Sequence, residues 1–420
     1  MDQTNWAGNI LYSTDRIHHP ETVEQVQEIV KGCRHIKALG SRHSFNRIAD
    51  STTDLLSLQA LNKVVALDKA AQTVTVEGGM RYGELAPLLQ EHGFALHNLA
   101  SLPHISIAGA CATATHGSGI HNGNLATAVT AIEFVNAAGD LVELSRDKDA
   151  AVFPGAVVNL GALGIVTKLT LRLQPAFDMH QVVYRNMPMQ ALERDFVAIM
   201  SAGYSVSLFT TWKNNTINQV WIKHQDTGST STEIAIHFHG AILATDNLHP
   251  LEELSAEHAT AQMGIAGVWY DRLPHFKMGF QPSAGKELQS EYYVPVECGY
   301  EALQAIAALH EQIAPYLFVS EIRTIAADDL WLSPCYQQTC VAFHFTWKQE
   351  WRIVETLLPL IEEALRPYQA QPHWGKLFTM VPAELQSRIG KLADFKQLVQ
   401  RFDPEGKFRN AFLSETLYTD

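Results

Sequence analysis

Basic residues are in short supply in this chain: 31 Lys and Arg stand against 44 Asp and Glu, a formal net charge of −13. Such a surplus repels phosphate backbones and anionic headgroups, and no run of Lys or Arg offsets it. Unspecific binding to nucleic acid or to a membrane surface is therefore excluded. Long apolar runs are also missing. No stretch approaches the roughly eighteen residues of a membrane span, and Met1 to Trp6 has neither the basic nor the apolar region of a secretion signal. The expected location is the cytoplasm. Cysteine is scarce and odd in number, with Cys33, Cys111, Cys298, Cys335 and Cys340 widely spaced and no Cys-x-x-Cys pair. These read as reduced, mostly buried thiols. His237 and His239 would share one face of a strand but have no third ligand at sensible spacing, so no metal site is expected. No Gly-x-Gly-x-x-Gly follows a strand, Gly117-x-Gly119-x-x-x-Gly123 being off by one, and no Walker-type loop occurs. A Rossmann or Walker-type nucleotide site is disfavoured.

At 420 residues, 46% hydrophobic and 18% charged, the chain is an ordinary globular protein of about two or three domains. It has no internal repeat and no low-complexity linker. Its organising stretch is Lys37 to Asn46. A short apolar run ends at Leu39, Gly40 permits a sharp turn, and Ser41 to Ser44 offers consecutive N–H and hydroxyl donors suited to a phosphate. His43 within it is either an ordinary polar loop residue or a chemical attachment point. Around this loop the expected elements are a strand at Trp6 to Tyr12 and a helix after Pro20, capped at Thr22-x-x-Gln25. Hairpins follow at 64–77 and 131–144, with a helix from Tyr82 to His92 between them, which makes an α+β beginning. From Ser106 to Gly119 almost every residue is small. Small residues admit either a ligand or a second piece of backbone to the main chain, and composition alone divides evenly between the two.

After Pro175 the texture changes, and a domain boundary is placed there. Residues 176–372 are expected to alternate strands with two long helices, near Pro250 to Met263 and Tyr300 to Ile313. Three strands carry informative faces at period two. Gln289 and Glu291 share one face; Glu321 and Arg323 share another. In Val341 to Lys348, Val341, Phe343, Phe345 and Trp347 line one side, while His344, Thr346 and Lys348 line the other. Mixed donors and acceptors of short reach suit a polyhydroxylated ligand, though a solvated sheet face is the commoner arrangement.

Four separated stretches together are similar to one family: Ala38-Leu39-Gly40-Ser41-Arg42-His43-Ser44, the run Ser101 to Gly119, Glu321-x-Arg323 with His344-x-Thr346, and His373-x-x-Lys376 with Asp403 to Asn410. The chain resembles the vanillyl-alcohol oxidase group of covalent FAD-dependent oxidases, specifically its alditol-oxidising branch, over nearly its whole length. The resemblance implies a two-domain α+β fold, with residues 1–175 and 373–420 binding FAD. Residues 176–372 would form a substrate cap built on an antiparallel sheet flanked by helices. It further implies FAD bound covalently through His43. The cofactor would be held by Ala38, Leu39, Gly40, Ser41, Arg42, Ser44, Ser101, Ser106, Gly109, Thr113, Ala114, Thr115, His116, Ile165 and His373. Arg323 and Lys376 would be catalytic, and Ser101, Gln289, Glu321, Arg323, His344, Thr346 and Lys376 would hold the substrate. The implied reaction is hydride transfer from C1 of a polyol such as xylitol or sorbitol to flavin N5, with O2 reduced to H2O2. Ala100, beside the implied flavin face, bears on oxygen access in that group. A monomer is expected. The alternative within the same group is an aldonolactone oxidase or dehydrogenase, and from another class a non-catalytic sugar-binding protein.

Overall fold

The computed structural model describes residues 3–226, 234–280 and 286–419. The expected strand at Trp6 to Tyr12 is instead a turn. Asn5 Oδ1 accepts from Ile10 N at 3.0 Å, Gly8 takes a positive φ, and a single bridge joins Thr4 to Leu11. Helix α1 (Val23–Gly32) starts as expected, with the Thr22 hydroxyl accepting from Gln25 N, and buries Val26 and Val30. Strands β1 (Ile36–Leu39) and β2 (Asp54–Ser57) pair in parallel, with Ile17–His18 on the far side of β2. The parallel register delivers the chain at Leu39 to the sheet end where the His43 loop turns.

Strands β3 (Val64–Asp68) and β4 (Thr73–Glu77) form the first hairpin, followed by helices α2 (Tyr82–Glu91) and α3 (Ile107–Ala112). Strands β5 (Val129–Val135), β6 (Leu141–Ser145) and β7 (Ile165–Arg172) complete a five-stranded antiparallel sheet in the order β3-β4-β7-β5-β6.

Past residue 177 a larger sheet begins. Strand β8 (Asp178–Pro188), helix α4 (Ala191–Met200), strands β9 (Ser205–Thr210), β10 (Thr216–Gln225) and β11 (Glu287–Pro295), helix α5 (Gly299–Ala307), strands β12 (Leu317–Ile325) and β13 (Cys340–Lys348) and helix α6 (Trp351–Leu365) follow in turn. Its central order is β8-β10-β9-β12-β13-β11, all antiparallel neighbours. Leu208, Ile322, Leu288, Tyr292, Phe343, Phe345 and Trp347 all point to one face, where Leu192 and Phe196 of α4, Leu303 and Ile306 of α5, and Leu358 and Ile361 of α6 cover them. The helices lie on one side only, so the opposite face is left to meet the first half of the chain.

Two helix expectations are corrected. Residues 250–263 contain only a short turn of helix at Ala256–His258. Side chains take over the backbone there: Gln262 bonds both Leu248 N and Leu248 O, and Thr260 Oγ1 donates to Pro274 O, in place of the regular helical ladder. Tyr300 to Ile313 is two pieces, α5 and His310–Ile313. The longest helix is α6, at 15 residues, which buries Val354, Leu358, Ile361 and Leu365, worth about 1.5–3 kcal/mol each. Helix α7 (Leu392–Phe402) then returns to the first half, where Phe402 meets Phe134 edge-on at 5.1 Å.

Candidate active site

One cavity, about 570 Å³, runs between the two sheets from the 37–45 loop to the helix-free face of β11, β12 and β13. Its first wall is mostly backbone. A Cβ on Gly40 or on Gly109 would come within 2.8 Å of Ser106 Oγ, which is buried and has no hydrogen-bond partner among the described residues. Ser106 N donates to Ser41 Oγ at 3.2 Å, tying the two loops together. Beneath them Lys37 is buried and donates to the carbonyls of Leu160, Gly161 and Phe408. Burial, only partly opposed by Asp403, lowers its amine to about 7.

His43 is half-buried in this wall, 4.6 Å from the Trp6 ring and with Nδ1 3.3 Å from His104 Nε2. Burial first, then the neighbouring His104, Lys376 and His344, bring its pKa to about 3. The imidazole is neutral and keeps a lone pair for chemistry.

The opposing wall is made of charged side chains in register. Glu291 of β11 lies directly across from His344 of β13, which lies across from Glu321 of β12, so the three form a row on one face. Lys376, on the loop after Gln371–Pro372, donates to Glu291 Oε2 at 2.6 Å and to His344 Nδ1 at 2.7 Å. Arg323 Nη2 donates to Glu291 Oε1 at 3.0 Å, and His116 from the first wall approaches the same oxygen at 3.2 Å. Burial pushes the Glu291 carboxyl upward, but Lys376, His116 and Arg323 outweigh it and hold the group well below the usual carboxylate range. Burial and the adjacent Lys376 lower His344 to about 4, so its ring is neutral. Because Nδ1 accepts from Lys376, the ring proton sits on Nε2 and is donated to Thr346 Oγ1, 3.1 Å away. This face is not a solvated one: Gln289, Glu321, Arg323, His344 and Thr346 are each less than a tenth exposed, and Glu291 is fully enclosed.

Residues 14–145 match the FAD binding domain family, and residues 174–416 match the D-arabinono-1,4-lactone oxidase family. The chain is 45% identical over 417 residues to an alditol oxidase from Streptomyces sp., covering 99% of this chain and 98% of that one. It belongs to the vanillyl-alcohol oxidase group of flavoproteins. Identity to the L-gulono-1,4-lactone dehydrogenase of Mycobacterium tuberculosis is 28% over 433 residues, 99% of this chain and 98% of that one. A cholesterol oxidase structure from B. sterolicum superposes with a TM-score of 0.77 at 15% identity, covering 99% and 96% of the two chains, and shows the shared fold. The protein is an FAD-dependent oxidoreductase of this group.

The first wall suits the flavoprotein's FAD. Gly40 and Gly109 leave room where any side chain would collide, and the unpartnered Ser106 hydroxyl waits between them. Of the residues expected to hold the cofactor, Ala38, Leu39, Gly40, Ser41, Arg42, His43, Ser44, Ser101, Ser106, Gly109, Thr113, Thr115, His116 and His373 all line the cavity. So do Gln289, Glu321, Arg323, His344, Thr346 and Lys376. Ala114 and Ile165 do not. Ile165 begins β7 with its side chain packed against Val26, Val30 and Ile36, and the period of two turns Val166 to the cavity instead. Ala114 takes a positive φ and packs into the core beneath α3. The small-residue run divides in function. Ser101, Ser106, Ala108, Gly109, Thr113, Thr115 and His116 line the cavity, while Gly119 N bonds Thr324 O at 2.9 Å and ties the two halves together.

Three residues escaped sequence reasoning: Glu291 as the anchor of both cations, His104 beside His43, and His275, whose Nε2 lies 2.7 Å from Glu321 Oε1. Glu291 carried a signal, the shared face with Gln289. Among the described residues no helix is long and apolar enough to cross a membrane.

Proposed function

We propose that the protein oxidises a terminal hydroxyl of a linear alditol such as xylitol or sorbitol to the aldose, with O2 as acceptor and FAD held covalently by His43. The observation that carries this reading is the enclosed row of Gln289, Glu291, Glu321, Arg323, His344 and Thr346 facing the His43 loop across one cavity. The same reading divides the chain into a flavin domain, residues 1–175 and 373–420, and a cap, residues 176–372. When bound, FAD supplies the two-electron acceptor for the alcohol and passes the electrons to O2, giving H2O2. The residues supply charge and position. Lys376 spends two of its three N–H donors on Glu291 and His344, and the third has no protein partner among the described residues. Set beside the reacting hydroxyl, that ammonium and the Arg323 guanidinium favour the alkoxide. By accepting from Nζ, Glu291 Oε2 and the neutral His344 Nδ1 hold that ammonium in place for the reacting oxygen.

Gln289, Thr346, Ser101 and Glu321 hold the remaining hydroxyls. A substrate lacking one of them leaves a buried polar group unpaired, at about 1–3 kcal/mol each. Steady-state rates with xylitol, sorbitol and 1-butanol, read by peroxide release, test this. Xylitol and sorbitol are expected to exceed 1-butanol by about a hundredfold or more in kcat/KM, and equal efficiency for all three contradicts the reading. The match of residues 174–416 to the lactone oxidase family favours a second reading, oxidation of a sugar lactone. L-gulono-1,4-lactone in the same assay separates the two.

A further inference from the structure

Residues 247–280 follow Ala241–Leu243, a short strand of the large sheet, and have little regular structure beyond Gly267–Val268, which pairs with β8, yet they are firmly held. Lys223 of β10, only 1% exposed, donates to the carbonyls of Arg272, Leu273 and Pro274 at 2.6, 2.7 and 2.9 Å. Thr260 Oγ1 donates to the same Pro274 carbonyl. Four bonds thus converge on the three residues immediately before His275. That ring is 5% exposed, sits edge-on to Phe209 at 5.5 Å and to Trp221 at 5.3 Å, and lines the cavity.

Its Nε2 is 2.7 Å from Glu321 Oε1. An ionised carboxylate only accepts, so Nε2 carries the proton and donates. Arg323 Nε faces the same oxygen at 3.5 Å. Oε1 is therefore committed to the protein, whereas Oε2 makes no hydrogen bond among the described residues and belongs to a side chain that lines the cavity.

We infer that His275 is a positioning residue: it fixes Glu321 by Oε1 so that Oε2 is presented to a substrate hydroxyl, which makes the 247–280 excursion part of the specificity element. The inference rests on the alditol reading for its probe.

The experiment compares His275→Phe, which keeps a ring against Phe209 and Trp221 but removes the donor, with His275→Gln, whose amide restores a donor at similar reach. Both are assayed with xylitol, alone and in a Glu321→Gln background, with flavin content and melting temperature recorded. His275→Phe is expected to raise KM about tenfold or more with kcat changed by less than about threefold, and His275→Gln to recover most of that loss. In the Glu321→Gln background, His275→Phe should alter kcat/KM by less than about twofold, because its effect runs through Glu321. An unchanged KM in His275→Phe, a Gln variant no better than Phe, or a full additive loss in the Glu321→Gln background would each overturn the inference. Wild-type turnover of xylitol tests the alditol reading separately. If a lactone proves to be the substrate, the same variants are compared on it and the same ratios decide.

Discussion

The wall around His43 and the wall around Glu291 reach the same cavity by opposite means. The first is mostly backbone, glycine and small side chains, and the group proposed to carry the flavin is a neutral imidazole. The second is a lattice of buried charge, in which one carboxylate on β11 holds a lysine from a distant loop and an arginine from β12. A backbone wall is damaged by adding atoms. A charged wall is damaged by taking one partner away, because the ions left behind stay buried and unpaired.

The sharpest way to break that comparison is Glu291→Ala. Lys376 and Arg323 lose their shared counter-ion, which is expected to cost about 3–5 kcal/mol of stability and to slow flavin reduction by about a thousandfold. Melting curves and stopped-flow reduction would check both. A variant with normal reduction kinetics would mean that Glu291 does not organise the cations.

On the first wall the expected damage comes from bulk. Gly40→Ala places a methyl 2.8 Å from Ser106 Oγ, and flavin occupancy should fall. Because the obstructing atom is one hydroxyl, Ser106→Ala should restore part of that occupancy in the double variant. The ratio of flavin to protein absorbance reads this directly, and no recovery would place the fault in the backbone instead.

The smallest effect is one of pH. His344 has a folded value of about 4 against an ordinary 6.5. Its folded value is depressed, so the stabilisation from its neutral ring is fully present above about 6.5 and is lost as pH falls through about 4. Below that, the ring no longer accepts from Lys376, so the acid limb of kcat/KM should lie near pH 4. A limb near 6.5 would show that the ring is not held neutral by its neighbours.

How much of each wall was legible in the sequence follows from how it is built. The Ala38 to Ser44 loop and the Ser101 to His116 run stand out by composition, but small residues admit a cofactor or a second backbone equally, and only the family resemblance chose between them. Arg323, His344 and Thr346 were legible because the period of two sorts side chains by face. Ile165 shows the limit of the same rule, as one residue of register separates core from cavity. The convergence of Lys376, Arg323 and His116 on Glu291 is tertiary, from four separate segments, and no local pattern encodes it. His275 lies in an excursion whose shape is set by side-chain bonds to backbone, so neither the strand period nor the helix period marked it. Helix α6 was readable in principle, because Val354, Leu358, Ile361 and Leu365 recur at helical spacing.

Acid precipitation of the purified protein and of its His43→Ala variant, followed by visible absorption of pellet and supernatant, tests the attachment most directly. Yellow colour should stay with the wild-type polypeptide and pass to the supernatant in the variant. Colour retained by the His43→Ala polypeptide would contradict a flavin tethered at that imidazole.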